Sequence, residues 1–268
     1  MDYSISFADM LGAMSQTEAG WTTSVPQSWR QGRTCYGGLT TGLAYGAAVA
    51  TFSDLPPLRS ALVNFTGPVG EAPIFKASLL RQGKSLTTIN VDVFSDGKLG
   101  ARVVFSFGKA RESVIAKTLP ITPPAKPLEK LKRFTPKLAE RIVPNFFLHF
   151  ETRLIDGHRP MAGKGDGYIY AASRFKDEPS RAGMASLLAL ADVLPPAALP
   201  MVRKFGAVSS VNWMINILTD DISTRDGWWL VETKLSSGGA GYSSQPMNVW
   251  DAKGRPVIEA LQNVALFI

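Results

Sequence analysis

Two stretches of the chain show the same alternation of apolar and polar residues, interrupted at the same point by a turn. In residues 90–107 an alternating strand leads to a turn at Asp96-Gly97-Lys98 and then to a second strand that ends in phenylalanine. In residues 247–267 the turn is Ala252-Lys253-Gly254, and the second strand again ends in phenylalanine. Alternation with a period of two around a glycine-containing turn is typical of a β-hairpin. The pattern predicts that the chain contains one structural unit twice.

The repetition extends upstream of both hairpins. Val63-Asn64-Phe65 matches Val211-Asn212-Trp213. Each half also contains a segment rich in Ala, Gly and Leu, at Gly37–Ala50 and at Ala182–Leu194, which we predict to be helical. Each half then contains a helix, a strand and a series of strands that ends in a hairpin, in the same order. This shared order indicates a duplication. The predicted strands lie at 21–25, 60–67, 74–82, 86–95 and 99–107 in the first half, and at 146–153, 167–175, 208–218, 228–235, 243–251 and 256–267 in the second.

The first predicted helix carries small residues on most of its faces, among them Gly38, Gly42 and Gly46. Such a helix suits a position where other backbone approaches it closely on several sides. A curved antiparallel sheet wrapped around the helix provides that position, and joining two such sheets edge to edge removes two exposed edges. The predicted fold class is therefore α+β, with two antiparallel β-sheets, each wrapped around a long central helix, joined into one continuous sheet.

Composition narrows the class of protein. The chain has 268 residues, of which 45% are hydrophobic, and this allows a sizeable core in one large or two ordinary domains. No apolar run reaches the ~20 residues of a membrane-spanning helix, so we expect no stable membrane insertion. The first ten residues lack the features of a secretory signal, and the lone Cys35 cannot form an internal disulfide. We therefore expect a cytoplasmic protein.

The net charge of +7 is concentrated between the two halves. Residues 117–141 hold seven basic and two acidic residues together with five prolines. A basic, proline-rich segment of weak periodicity is typical of a linker, which we place at 119–137, between an N-terminal unit at 1–118 and a C-terminal unit at 138–268. The linker is either a solvated connector or a surface that attracts a polyanion, such as the phosphates of coenzyme A. No nucleic-acid-binding motif accompanies the charge, so we expect no nucleic-acid partner.

One carboxylate breaks a local rule of helix stability. Asp192 lies at the end of the second predicted helix, shortly before Pro195-Pro196, where the helix dipole disfavours a carboxylate by roughly 0.3–1 kcal/mol. Such violations concentrate at functional sites. Burial and the dipole both raise the pKa of a carboxyl group toward the range that suits a general base. The alternative is an Asp that turns to solvent or caps the following segment.

Two uncharged polar residues interrupt otherwise apolar strands of the second half. Ser210 places a hydroxyl in one strand, and Gln262 places an amide in the middle of the C-terminal strand. Both groups can donate and accept hydrogen bonds, which suits the orientation of a water molecule that a base deprotonates. Taken singly, each is more often an ordinary polar strand residue.

With these residues in view, the chain resembles the acyl-CoA thioesterase II-like proteins of the thioesterase-like superfamily, which have the double hot-dog fold. The resemblance covers nearly the whole chain and is strongest at Tyr36-Gly37-Gly38, at Gly83-Lys84-Ser85 and at three positions of the second half. Those positions are Asp192 in LALADVLPP, Ser210 in AVSSVNWM and Gln262 in EALQNVALF. In that family the Asp, a Ser or Thr and the Gln hold a water, so the resemblance implies a hydrolase that converts acyl-CoA to free acid and coenzyme A.

The sequence departs from the family pattern in two places. Asn212 stands where relatives often have Asp, and residues 236–241 form a glycine-rich segment. These departures bear on the choice of acyl chain more than on the reaction.

The polar trio has no counterpart in the first half. Because neither a base nor water-holding groups recur there, we expect one active site per chain, in the C-terminal unit. The residues aligned with Asp192, Ser210 and Gln262 are, in that order, Ala47, Leu62 and Arg102.

Thioester hydrolysis also requires donors for the oxyanion that develops on the carbonyl oxygen. Backbone N–H groups at Gly37, Gly38 and Leu39, where the first helix begins, are the candidate donors, because the start of a helix leaves N–H groups free. The two glycines are equally explained by a tight strand-to-helix turn.

Two other functions compete with hydrolysis. A catalytically silent acyl-CoA-binding protein fits the same scaffold, whereas a hot-dog hydratase or dehydratase uses a His with a carboxylate. Neither His149 nor His158 has metal-ligand spacing, and His149 is interpreted as a strand residue. Cys35 has no nearby His and is interpreted as a small buried residue. We expect no metal. We also expect no cofactor, since coenzyme A is part of the substrate. A homo-oligomer, either a dimer or a tetramer, is left open.

Overall fold

Strands are the predominant regular element of the computed structural model, which describes residues 2–204 and 206–268. Three α-helices accompany them in this part of the chain: α1 (Phe7–Gly12), α2 (Gly37–Thr51) and α3 (Met184–Ala191). The strands of the first half are β1 (Ser15–Thr17), β2 (Gly20–Thr22), β3 (Arg30–Gln31), β4 (Thr34–Cys35), β5 (Leu58–Phe65), β6 (Ile74–Gln82), β7 (Leu86–Ser95) and β8 (Lys98–Gly108). Those that follow are β9 (Lys132–Arg133), β10 (Phe150–Gly157), β11 (Tyr168–Phe175), β12 (Ala207–Ile217), β13 (Trp229–Lys234), β14 (Ser237–Gly239), β15 (Tyr242–Asp251) and β16 (Pro256–Phe267).

Fourteen of these strands form one antiparallel sheet that runs through both halves of the chain. Its order is β1-β2-β6-β7-β8-β5-β12-β16-β15-β13-β11-β10-β9, with β14 paired to β15, while β3 and β4 form a separate small hairpin. The two halves meet where β5 pairs with β12. The prediction of a double hot-dog with one continuous sheet is therefore confirmed.

The junction of the two halves lies on the internal repeat itself. Asn64 of β5 pairs directly with Asn212 of β12, and these are the residues that the sequence match made equivalent. When equivalent residues of two antiparallel strands face each other, a local twofold axis passes between them. The duplication thus appears in the structure as a pseudo-twofold arrangement centred on this pair.

The two helices α2 and α3 pack against each other inside the curved sheet, and α2 also packs against β6, β7 and β8. Small residues of α2 make this contact close. A methyl group added at Gly42 would lie 2.6 Å from the carbonyl oxygen of Ala185 and 3.2 Å from the Cβ of Ala189. The core continues from the helices to buried side chains of both halves, including Val63, Val103, Phe175, Trp213 and Val231.

Several predicted elements need correction at their ends. The strand predicted at 21–25 is Gly20–Thr22, and the one predicted at 60–67 is Leu58–Phe65. The second central helix begins at Met184 and ends at Ala191, so it is shorter than the predicted 182–194. The strand predicted from Phe146 begins only at Phe150, because Asn145–His149 forms a 3₁₀ helix after Pro144. His149 belongs to this turn, where its ring stacks on Trp29 at a centroid distance of 3.8 Å, and it is not a strand residue.

The proline-rich linker is partly built into the fold. Leu128 is buried in a cluster with Trp228 and Trp250, and Lys132–Arg133 pairs with β10. The interpretation of the segment as a freely solvated connector is therefore wrong at these positions, because apolar residues between the prolines find partners on the second half. The boundaries at 118 and 137 stay a prediction.

Candidate active site

Three elements of the second half bring the predicted polar trio together. Asp192 is the residue that caps the C-terminus of α3, Ser210 lies in β12 and Gln262 lies in β16. The side-chain N–H groups of Gln262 donate to Asp192 Oδ1 at 2.8 Å and to Ser210 Oγ at 3.2 Å. Gln262 therefore uses both hydrogens of its amide to hold the other two residues in place.

Asp192 is stabilised by the other half of the molecule. Its Oδ2 accepts a hydrogen bond of 2.8 Å from the backbone N–H of Gly38, in the first turn of α2. The positive end of the α2 dipole therefore faces the carboxylate, which opposes the unfavourable dipole of α3. The local rule that Asp192 breaks within its own helix is compensated by a contact 154 residues away in the sequence.

Gly37 and Gly38 are required by this close approach. A Cβ at Gly37 would lie 2.7 Å from Asp192 Oδ2, and a Cβ at Gly38 would lie 2.9 Å from the Cβ of Asp192. Neither glycine has a positive φ, so the strand-to-helix turn does not demand glycine at either position. Because the Gly38 N–H already donates to Asp192, it is not free in this arrangement to stabilise an oxyanion. For Gly37 and Leu39 the oxyanion role stays a prediction.

Burial raises the pKa of Asp192 from 3.8 to about 7, although the hydrogen bonds from Gln262 and Gly38 act in the opposite direction. The carboxyl group is half-buried and borders the pocket described below. A carboxylate with a pKa near neutrality is matched to proton transfer at physiological pH.

Tyr36 is a site residue that the sequence argument did not assign. Its hydroxyl donates to the carbonyl oxygen of Ala189 at 2.7 Å, three residues before Asp192, and its ring stacks on Phe146 at 4.1 Å. Burial, with a smaller contribution from the Asp192 charge, raises the pKa of Tyr36, so the group remains a neutral donor. Tyr36 thus fixes the end of α3 against the start of α2.

Gln245 of β15 was also missed. It is fully buried beside Gln262, and its own amide is hydrogen-bonded at both ends. The alternation of β15 places Gln245 on the inward face together with Ser243 and Met247. An amide on the inward face of a strand is the signal that could have identified it.

The trio opens into a pocket of about 710 Å³ that both halves and the linker line. Aromatic side chains from Tyr36 to Phe147 give it a largely apolar wall: Tyr36, Phe65, Phe134, Phe146 and Phe147. Arg159 is the one basic residue among the described lining residues, and it donates to the carbonyl oxygens of Phe134 and Arg133 at 2.7 and 2.8 Å. A pocket of this size and character suits a small molecule with an apolar part.

Cys35 and the histidines differ in their relation to the pocket. Cys35 borders it but is buried, and burial raises the pKa of its thiol to about 12, so the thiolate needed for nucleophilic attack is disfavoured. Among the pocket residues that the structure describes there is no histidine. Within residues 2–204 and 206–268, no group of three or more His, Cys, Asp or Glu side chains is arranged to bind a metal ion.

The register of the sheet corrects one of the positions aligned with the trio. Phe65 pairs with Ala101, and its equivalent Trp213 pairs with Gln262, so the counterpart of Gln262 is the buried Ala101 and not Arg102. Arg102 is exposed and forms an ion pair with Asp92.

A β-bulge explains why Ser210 and its aligned residue Leu62 face opposite sides of the sheet. The register of β12 shifts between Ser210 and Asn212, and Ser210 contacts the buried Gln262, whereas the aligned Leu62 is 49% exposed on the outer face. Bulges re-aim side chains in this way next to functional sites. Ala47, aligned with Asp192, is buried and apolar. The aligned positions of the first half therefore contain no carboxylate, hydroxyl and amide facing one another.

Comparison with known proteins assigns the family. The profile of the acyl-CoA thioesterase C-terminal domain matches residues 122–266, and that of the acyl-CoA thioesterase N-terminal domain matches residues 25–108. The chain belongs to the acyl-CoA thioesterase family, whose members are hydrolases that act on thioesters. A search of curated proteins gave no match.

Solved structures share the fold over nearly their whole length. A hot-dog protein of unknown function from Alicyclobacillus acidocaldarius is 20% identical with a TM-score of 0.83, covering 97% of this chain and 98% of that one. An acyl-CoA thioesterase II, TesB2, from Mycobacterium marinum is 19% identical with a TM-score of 0.72, covering 96% and 97%. A tesB protein from Mycobacterium avium subsp. paratuberculosis is 17% identical with a TM-score of 0.73, covering 97% and 99%.

Helix length provides one further observation. In the described part of the chain, none of the helices combines the length and the apolar character needed to cross a membrane.

Proposed function

We propose that the protein hydrolyses acyl-CoA thioesters to free acid and coenzyme A, with Asp192 as general base. The observation that carries the proposal is the Asp192 carboxylate, whose pKa lies near 7 and which Gln262 and Gly38 hold at the wall of an apolar pocket. Family membership supplies the thioester class of the substrate.

The first step is attack by water. Asp192 accepts a proton from the water, and the oxygen forms a bond to the thioester carbonyl carbon. Ser210 Oγ already accepts from Gln262, so its own hydroxyl hydrogen is available to donate to this water and hold it. The developing oxyanion requires N–H donors, for which Gly37 and Leu39 remain candidates at the start of α2 while Gly38 is engaged with Asp192.

The second step is departure of coenzyme A. The tetrahedral intermediate collapses, the carbon–sulfur bond breaks and the carbonyl re-forms, which gives the free acid. The Asp192 carboxyl group returns its proton to the leaving thiolate, so the enzyme ends in its starting state. All atoms of the products come from the thioester and one water, and no oxidation or reduction takes place.

The pocket suits the acyl part of such a substrate, and the overall charge of the protein suits the coenzyme A part. Its aromatic wall accommodates an apolar acyl chain, because burying apolar surface is favourable. Coenzyme A carries several negative charges, and the net charge of +7 favours its approach. Neither nucleic acid nor a membrane is part of the proposal, and a cytoplasmic location and a homo-oligomer stay predictions.

A silent acyl-CoA-binding protein is the second candidate, and one experiment separates the two. Release of coenzyme A is followed with a thiol reagent over a panel of acyl chain lengths, and binding is measured in parallel by calorimetry. We expect turnover with at least one chain length. Binding without release for every acyl-CoA would identify the silent protein. The hydratase alternative lacks support, since no histidine is found among the described pocket residues.

A further inference from the structure

The orientation of the Gln262 side-chain amide decides whether it can donate hydrogen bonds to Asp192 and Ser210. Gln262 stabilises the Asp192 carboxylate only if its NH₂ end, and not its oxygen, faces Asp192 and Ser210. The two ends of a glutamine amide have nearly the same shape, so packing alone does not select between them. Asp192 does not settle the choice by itself, because its carboxyl group only accepts when it is ionised but can donate when it is protonated. A neighbour whose polarity does not change with pH must make the choice.

That fixed polarity comes from a backbone amide. The N–H of Ala197 donates at 2.7 Å to Gln245 Oε1, and a backbone N–H can only donate. The Gln245 oxygen must therefore face Ala197, which turns its NH₂ end toward Gln262. That NH₂ group donates to Gln262 Oε1 at 2.9 Å, which leaves the Gln262 NH₂ end for Asp192 and Ser210.

We infer that Gln245 is a positioning residue for the proposed thioester hydrolysis, acting by fixing the orientation of the Gln262 amide. This inference rests on the proposed function. The chain of bonds runs from Ala197 through Gln245 and Gln262 to Asp192, and it closes on itself because Ala197 lies five residues after Asp192 in the same segment.

Burial and strand register keep the two glutamine amides bonded to each other. Gln245 is 0% exposed and Gln262 is 2% exposed, so bulk water does not compete for their amides. They are also directly opposite each other on β15 and β16. Side chains paired across antiparallel strands lie within contact distance. Gln245 itself is not among the described residues that line the pocket, so it acts through Gln262 and not on the substrate.

Gln245→Met tests the inference, because methionine has similar length but neither donates nor accepts strongly. Gln262 is then free to reverse when Asp192 is protonated, and its oxygen would accept a hydrogen bond from the carboxylic acid, which favours the inactive protonated form. We expect the acid limb of the kcat/KM profile to move to higher pH, so that kcat at pH 7 falls about tenfold or more, with KM within about twofold. Asn263→Ala is the matched control, since Asn263 is the neighbour of Gln262 in β16 and its side-chain amide donates to the carbonyl oxygen of Ser243.

Gln245→Glu covers the case in which the methionine variant does not fold. A protonated glutamic acid reproduces the acceptor and donor pattern of glutamine, whereas the ionised form only accepts and competes with Asp192 for the NH₂ group of Gln262. The activity of this variant relative to the wild type should therefore decline as the pH rises from about 5 to about 10, a range that spans the pKa of a buried glutamate. Full activity of this variant across the range, or an unchanged kcat and pH profile in Gln245→Met, would overturn the inference.

A readout without turnover separates this inference from the proposed function. The pH dependence of the thermal midpoint, compared with that of Asp192→Asn, reports the pKa of Asp192 in the folded protein. Gln245→Met should raise that pKa, and Asn263→Ala should not. If the wild type released no coenzyme A, the proposed function would fail. A raised pKa in Gln245→Met would then still support the positioning role, and an unchanged pKa would refute it.

Discussion

The backbone N–H of Gly38, where one central helix begins, donates to the carboxylate of Asp192, where the other central helix ends. The bond joins the two copies of the duplicated unit. The proposed base therefore belongs to the second copy, and the group that stabilises its charge belongs to the first. This relationship gives a reason for both copies to be present although only one carries the polar trio.

The pH dependence of turnover follows from the raised pKa of Asp192. The base must be ionised, and burial places its pKa at about 7 in the folded protein. We expect kcat/KM to rise with pH and to level off above about pH 7. Rates measured over a series of buffers with one acyl-CoA check this. An acid limb near pH 4, the range of an ordinary carboxyl group, would show that burial does not shift the base.

Stability should depend on pH in the opposite direction. The folded-state pKa of Asp192 is raised from 3.8 to about 7, so between these values the folded protein holds a proton that the unfolded chain has released. The wild type therefore loses stability relative to Asp192→Asn as the pH rises through this window, by an amount on the order of 1–4 kcal/mol. Chemical denaturation of both proteins at several pH values measures the difference. A constant difference across the window would contradict the raised pKa.

Gly38→Ala should separate the two helices. The added Cβ would lie 2.9 Å from the Cβ of Asp192 and closer still to the carbonyl oxygen of Ala189, so α3 must move. We expect a destabilisation of roughly 1–3 kcal/mol together with a loss of turnover, because the Gly38–Asp192 bond lengthens. Gly12→Ala is the control, since a Cβ at Gly12 meets nothing within 4 Å. Equal behaviour of the two variants would refute the close approach as the reason for glycine.

The asymmetry of the repeat predicts one site per chain. Ala47 is buried and apolar, Leu62 faces outward, and Ala101 replaces the amide of Gln262, so the first copy has no base and no water-holding groups at the aligned positions. Calorimetric titration with a non-hydrolysable acyl-CoA analogue should give a stoichiometry of about one per chain. Two equivalent sites per chain would contradict the assignment.

Local patterns were sufficient to predict most of the sheet. The alternation at 74–82, 86–95 and 256–267 gave strands with the bounds that the structure has. Alternation of apolar and polar residues shows which face of a strand is buried, and it can be recognised from a few consecutive residues. The 3₁₀ helix at Asn145–His149 was missed because its aromatic residues are also typical of a strand.

The site was only partly predictable. Asp192 could be singled out because it violates a rule of its own helix, and the family resemblance then supplied Ser210 and Gln262. The bond to Gly38 and the relay through Gln245 depend on contacts between distant segments, which no local pattern contains. The bulge that turns Ser210 toward Gln262 also leaves no distinctive local pattern. The alignment of the two halves did not allow for it, and therefore placed Arg102 opposite Gln262 instead of the preceding residue, Ala101.

Release of coenzyme A by Asp192→Asn, compared with the wild type on the same preparation, tests the central claim most directly. Asparagine keeps the size of the side chain but does not accept a proton from water, so kcat should fall by about 10²–10⁴-fold while the protein remains folded. The folded fraction is checked by the thermal midpoint of each sample. A folded Asp192→Asn that releases coenzyme A at the wild-type rate would contradict the assignment of Asp192 as the base.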